Sequence, residues 1–106
     1  MATLHLVSRS PAESRALEHC LARVGEGDAI VLLENGVYAA KDRRLRAAGR
    51  ITVYALRPDL EARGLSLDHG SVPPGGSEPT QPIVEVVDYR EFVGLTVRYR
   101  PIVSWF

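Results

Sequence analysis

Ala29-Ile30-Val31-Leu32-Leu33 is an unbroken apolar run, bounded by Gly27-Asp28 before it and Asn35-Gly36 after it. Apolar residues at consecutive positions between turn signals describe a strand covered on both faces, and such a strand belongs at the centre of a parallel sheet. The flanking segments fit that reading. Thr3 to Val7 reads as a short strand, and Ser10-Pro11-Ala12-Glu13 has the grammar of a helix start. Ser10 serves as N-cap, Pro11 sits where its missing donor is harmless, and Glu13 completes a capping box. A helix is expected from Pro11 to Val24, ended by Gly25 in the left-handed conformation. After the Glu34-Asn35-Gly36 turn, Val37 to Ala48 is rich in Ala, Lys, Arg and Leu and stops at Gly49, so a second helix is expected there.

Ile51 to Leu56 is the next buried strand, and Pro58-Asp59 opens a short helix that stops at Gly64. Residues 66–82 break the pattern with three glycines and four prolines, which predicts a mobile surface loop. Ile83 to Val87 resumes as a strand. Asp88-Tyr89-Arg90-Glu91 repeats the capping-box spacing and starts a last helix to Tyr99, with Phe92, Val93, Leu95 and Thr96 toward the core. Pro101 to Phe106 is expected to form a final short strand. Four alternations of strand and helix imply an α/β fold, a three-layer α/β/α sandwich with a mainly parallel four- to five-stranded sheet.

The 106 residues, 45% hydrophobic and 25% charged, fit one domain spanning 1–106. Thirteen Lys+Arg balance thirteen Asp+Glu, which argues against a uniformly cationic nucleic-acid binder. A single cysteine allows no internal disulfide, and no run approaches the roughly 18 apolar residues of a membrane helix. With no signal-peptide pattern at the start, a reducing, cytoplasmic setting without membrane attachment is expected. A domain of this size leaves roughly a third of its unfolded-chain surface exposed, so a partner subunit would add stability.

The familiar catalytic signatures are missing. Gly25-Glu26-Gly27 follows a helix and precedes a strand, the reverse of a dinucleotide turn, and there is no phosphate loop. His5, His19, His69 and Cys20 share no metal-ligand spacing, so neither a metal nor a cofactor is expected. Cys20 alone can do covalent chemistry near neutral pH. On a helical wheel it falls within about 60° of the apolar centre line formed by Leu17, Leu21 and Val24, the position of a packed core residue. It also lies late in its helix, where the dipole does not favour a thiolate. Other candidates are weaker. Lys41-Asp42-Arg43-Arg44-Leu45-Arg46 with Arg50 is the densest basic stretch and reads either as an RNA contact or as a solvated face. Ser8-Arg9-Ser10 and Glu34-Asn35-Gly36 sit at strand ends, where α/β sites collect, and Trp105-Phe106 is an interface anchor or a packed tail.

Taken in order, Leu4-His5, Ser10-Pro11, Leu17-Glu18-His19-Cys20-Leu21, Gly27-Asp28, Leu32 to Ala40, Tyr54-Ala55-Leu56, Pro58-Asp59-Leu60, Ala62-Arg63-Gly64, Val87-Asp88-Tyr89, Phe92-Val93, Leu95-Thr96 and Ser104-Trp105 resemble the TusB/DsrH family of sulfur-relay subunits. The resemblance runs nearly end to end. It implies a subunit that assembles with TusC/DsrF-like and TusD/DsrE-like partners into a heterohexameric sulfurtransferase complex. That complex passes persulfide sulfur from a TusA-type donor to a TusE/DsrC-type acceptor, for wobble-uridine 2-thiolation of tRNA or for dissimilatory sulfur oxidation, and tRNA is contacted only indirectly. The principal persulfide cysteine belongs to the TusD/DsrE partner, so this chain is implied to be a mainly structural, non-catalytic or auxiliary subunit. Cys20 stands where DsrH-type members carry a cysteine and is the candidate auxiliary persulfide carrier. Asn35 departs from the family pattern, which commonly has Asp there. The competing expectation is a free-standing small α/β ligand-binding module or enzyme using the strand ends near Ser8 and Asn35.

Overall fold

The computed structural model describes residues 2–45, 48–67 and 84–106. The expected loop at 66–82 therefore lies almost entirely outside the described residues, as do Arg46, His69 and Ile83. The strands are β1 (Leu4–Val7), β2 (Ala29–Leu32), β3 (Thr52–Leu56), β4 (Val84–Val87) and β5 (Ile102–Trp105). The helices are α1 (Ala16–Arg23), α2 (Arg57–Ala62) and α3 (Tyr89–Arg98).

The sheet order is β4-β3-β2-β1-β5 and every pairing is parallel. The apolar run at 29–32 is the middle strand, and all four of its residues are buried. From β1 to β4 the chain steps always toward the same edge, then returns across the sheet to place β5 beside β1. Right-handed crossovers put the first three connections on one face of the sheet and the last on the other. Core composition agrees. Leu17, Cys20, Leu45 and Leu60 pack with Val7, Ile30, Leu32, Val53 and Ala55 on one face, and Leu95 and Phe92 pack with Leu4, Ala29, Val31 and Tyr54 on the opposite one. The alternation along each strand assigns neighbouring residues to opposite layers, which makes this an α/β sandwich of three layers.

Helix ends follow local chemistry. Asp88 caps α3 by accepting from the Glu91 amide at 2.7 Å, while the Glu91 carboxylate accepts from the Asp88 amide at 3.0 Å, the reciprocal box expected from the spacing. At the end of α2, Gly64 takes φ +66°. Its amide donates to Glu61 O and the Leu65 amide to Leu60 O, which satisfies two terminal carbonyls in a Schellman arrangement.

Three expectations are corrected. Val93, expected toward the core with Phe92, Leu95 and Thr96, is 58% exposed, because at about 100° per residue it lies about 160° around α3 from buried Leu95. The first helix starts at Ala16 rather than Pro11. Ser10 closes one turn, with its carbonyl accepting from the Glu13 and Ser14 amides, but the Ser14 hydroxyl then accepts from the Ala16 amide and the chain leaves the helical path. Serine's competition for nearby backbone donors explains the break. The helix also ends earlier, with Val24 extended, and the left-handed glycine is Gly27 at φ +87° rather than Gly25. The second expected helix, 37–48, is instead a pair of 3-10 turns, Glu34–Ala39 and Arg43–Leu45. Gly36 is pressed so close to the end of β1 that an added Cβ would lie 1.9 Å from the Val7 carbonyl oxygen. Val37 and Ala39 are both fully buried. The tighter winding of a 3-10 turn accommodates these anchors where helix propensity alone favours an α-helix.

Candidate functional site

Chemistry-bearing side chains gather at two edges of the sheet. At the amino edge, Asp28 precedes β2 and projects toward β1. Its Oδ1 accepts from the Thr3 amide at 2.9 Å, and its Oδ2 accepts from the Gly25 amide at 2.9 Å and lies 2.9 Å from His5 Nε2. The other ring nitrogen of His5 accepts from the Trp105 indole N–H at 3.1 Å. An indole nitrogen can only donate, so His5 Nδ1 is unprotonated and Nε2 carries the proton given to Asp28. The His5 and Trp105 rings are also stacked, with centroids 6.1 Å apart and planes 19° from parallel. This chain of bonds ties the loop before β2 to its neighbour β1 and on to the edge strand β5. Burial alone would raise the Asp28 carboxyl, but the bonds from Thr3, Gly25 and His5 outweigh it and hold the group below its ordinary range.

Cys20 belongs to the same neighbourhood. It sits in the last turn of α1, 0% exposed, within the core layer that includes Leu17, Ile30 and Val53. Burial first, and then the negative charge of Asp28, push its thiol up to about 12. At that value only about one thiol in 10⁵ is ionised at pH 7, so the sulfur is a poor nucleophile in this conformation. The neighbouring His19 points to the exposed side of α1.

At the carboxyl edge, Glu34 follows β2 with φ +51°, a left-handed conformation that costs a non-glycine residue of order 1 kcal/mol. Its amide donates to Asp59 Oδ2 at 2.7 Å. Arg63, one turn after Asp59 on the same helical face, donates through Nε to Asn35 Oδ1 at 2.9 Å and through Nη1 to the Asp59 carbonyl at 3.0 Å. The structure therefore joins the Glu34-Asn35-Gly36 turn to α2 through Asp59 and Arg63, two residues that the sequence did not single out as site candidates. Their spacing of four is the one signal that anticipates a shared face. Ser10 is occupied as a turn-former, its hydroxyl accepting from the Ala12 amide at 3.2 Å.

In the basic stretch, Arg44 folds back on Asp42 with contacts of 2.9 and 3.1 Å, and Arg50 stands mostly in solvent beside Glu26. Trp105 is packed against the α1 side of the sheet, whereas Phe106 is exposed. Among the described residues, no three His, Cys, Asp or Glu side chains are grouped to hold a metal ion. No helix among them is long and apolar enough to cross a membrane.

The family model described as "DsrH like protein" matches residues 9–102. The protein named TusB from Pectobacterium parmentieri is 39% identical over 107 residues, covering 96% of this chain and 99% of its own length. The TusB of Salmonella typhimurium is 39% identical over 103 residues, covering 84% of this chain and 96% of its own. Among solved structures, the solution NMR structure of protein Tm0979 from Thermotoga maritima superimposes with a TM-score of 0.60 at 25% identity, over 91% of this chain and 92% of that one. An all-parallel sheet of this order, a match to the family model over most of the chain and relatives aligned nearly end to end lead to one assignment: the chain belongs to the TusB/DsrH family.

Proposed function

We propose that this chain is a structural subunit of a cytoplasmic sulfur-relay complex, assembled with TusC/DsrF-like and TusD/DsrE-like subunits, in which persulfide chemistry is carried by a partner. The observation that carries this reading is the state of the single thiol: in a member of a sulfur-relay family, the one cysteine is fully buried and its thiolate is strongly disfavoured. A persulfide carrier must present its sulfur to two successive partners and attack as a thiolate. The full-length likeness to proteins named TusB favours the branch that leads to tRNA 2-thiolation.

The test is co-expression with the two sibling subunits, followed by transfer from a TusA-type persulfide donor to a TusE-type acceptor. The Cys20→Ser complex should form and transfer sulfur within about twofold of wild type. Failure of the three chains to associate would overturn the assembly reading. An intact Cys20→Ser complex that no longer transfers sulfur would make Cys20 an obligatory carrier, which requires α1 to lift from the sheet during the cycle.

A second reading, a ligand-binding module working alone, draws on the strained Glu34 and its neighbours Asn35, Asp59 and Arg63 at the carboxyl ends of the strands. A monomer with no affinity for the siblings, and a small molecule protected by that edge, would favour it.

A further inference from the structure

One face of α3 has no use in the core. Tyr89, Val93 and Val97 recur every four residues along it and are 58%, 58% and 68% exposed, while Leu95 and Phe92 on the opposite side pack against the sheet. At about 100° per residue, Val97 points almost directly away from the sheet, with exposed Arg90 about 20° from its direction and Tyr89, Val93 and Gly94 spread to either side. An added Cβ on Gly94 would meet nothing within 4 Å, so the helix backbone is bare there and open to close approach. Among the described residues, α3 is the single helix on its side of the sheet, and this strip, apolar apart from Arg90 near its start, faces outward from it.

The charges bordering the strip are ordered. Glu91 near the start of α3 and Arg98 at its end are seven residues apart, which places them on the same flank about 20° from one another. Both are exposed. Two parallel copies of α3 would set Glu91 against Glu91 and Arg98 against Arg98. Two antiparallel copies, related by a two-fold axis near Gly94 and Leu95, set each Glu91 against the other copy's Arg98 and each Val93 against the other copy's Val97. The bare backbone of Gly94 then falls at the crossing point, where helices approach most closely.

We propose that the outward face of α3 is a two-fold self-association surface, on which a second copy of this chain packs with its α3 antiparallel. An isologous contact of this kind is self-complementary by construction. One helix face covers far less than the roughly 800 Å² per partner of a standard stable interface, so the isolated chain associates weakly and the dimer fraction depends on concentration. The surface is a property of the chain alone and does not rest on the sulfur-relay reading.

Sedimentation equilibrium of the full chain, from about 10 to about 500 μM in low salt, tests it. The weight-average mass should rise with concentration from 11.6 kDa toward twice that value. Val97→Glu, a change at an exposed site, should weaken association at least tenfold while far-UV circular dichroism and the thermal midpoint stay at wild-type values. Arg98→Glu should weaken it by placing like charges opposite one another, and should do so more in low salt than in high salt. A wild-type chain that stays monomeric throughout overturns the proposal, as does association that Val97→Glu leaves intact. If Val97→Glu disrupts association but Arg98→Glu leaves it intact, the antiparallel pairing is wrong. Binding of this face to a sibling subunit, with no self-association, also overturns it.

Discussion

Replacing Asp28 with alanine removes one acceptor from three donors, and the cost can be worked from their surroundings. His5 is 4% exposed, and its Nε2–H points at Asp28 Oδ2 from 2.9 Å. Among the described residues Nε2 bonds only to Asp28, and Nδ1 is committed to the Trp105 indole, so the tautomer cannot shift to relieve the loss. A buried donor left unpaired costs about 1–3 kcal/mol. The Thr3 and Gly25 amides are partly buried and regain some hydration, so each lost bond adds about 0.5–1.5 kcal/mol. Together the loss is about 2–6 kcal/mol, set against a total stability of about 5–15 kcal/mol for a small domain. Urea titration followed by tryptophan fluorescence measures it, since the single Trp105 reports directly on the network. The thermal midpoint should fall by about 10 °C or more.

The pH dependence has a defined sign. The Asp28 carboxyl is held below its ordinary value in the fold, so its contribution is complete above the unfolded carboxyl range of about 4 and is lost as pH falls through the lower folded value. The alanine variant should therefore lose less stability than wild type on acidification over that window. A loss below about 1 kcal/mol at neutral pH, or an unchanged acid limb, would refute the account of the network.

Three further outcomes follow from single positions. Cys20 in the native chain should react with a thiol reagent at pH 7 at least a thousandfold more slowly than in the urea-unfolded chain, followed by intact mass, because its thiol is both buried and pushed up to about 12. Gly36→Ala should destabilise by about 3 kcal/mol or more, or prevent folding, since the new Cβ would overlap the Val7 carbonyl oxygen; thermal unfolding reads the change. Glu34→Gly should stabilise by about 1 kcal/mol in the same assay by relieving its left-handed backbone.

The fold was legible where local and long-range preferences agree. The apolar run at 29–32 is both a strand by composition and the central strand by position, and Asp88 with Glu91 forms the box that its spacing announces. Where they compete, local grammar misleads. Ser10 has the pattern of an N-cap and does close a turn, but Ser14 captures the Ala16 amide and restarts the helix there. The 37–48 segment has helix-favouring side chains, yet the tight approach of Gly36 to β1 and the burial of both Val37 and Ala39 impose 3-10 turns. Cys20 was readable as a core position from the wheel alone.

The partners of the candidate sites were not readable, because they are distant in sequence. His5 meets Asp28 across 23 residues and Trp105 across 100, and Arg63 meets Asn35 across 28. A carboxylate beside a glycine ahead of a strand is ordinary turn punctuation until the sheet register carries His5 to it.

The most direct test of the structural-subunit account is intact mass after incubation with a persulfide-generating desulfurase, on the chain alone and within the complex of all three subunits, with Cys20→Ser as control. The account predicts a sibling complex that forms and transfers sulfur, with sulfur added to a partner and no increment on this chain. Sulfur increments on this chain that vanish in the Cys20→Ser variant would contradict it and place a relay step on Cys20.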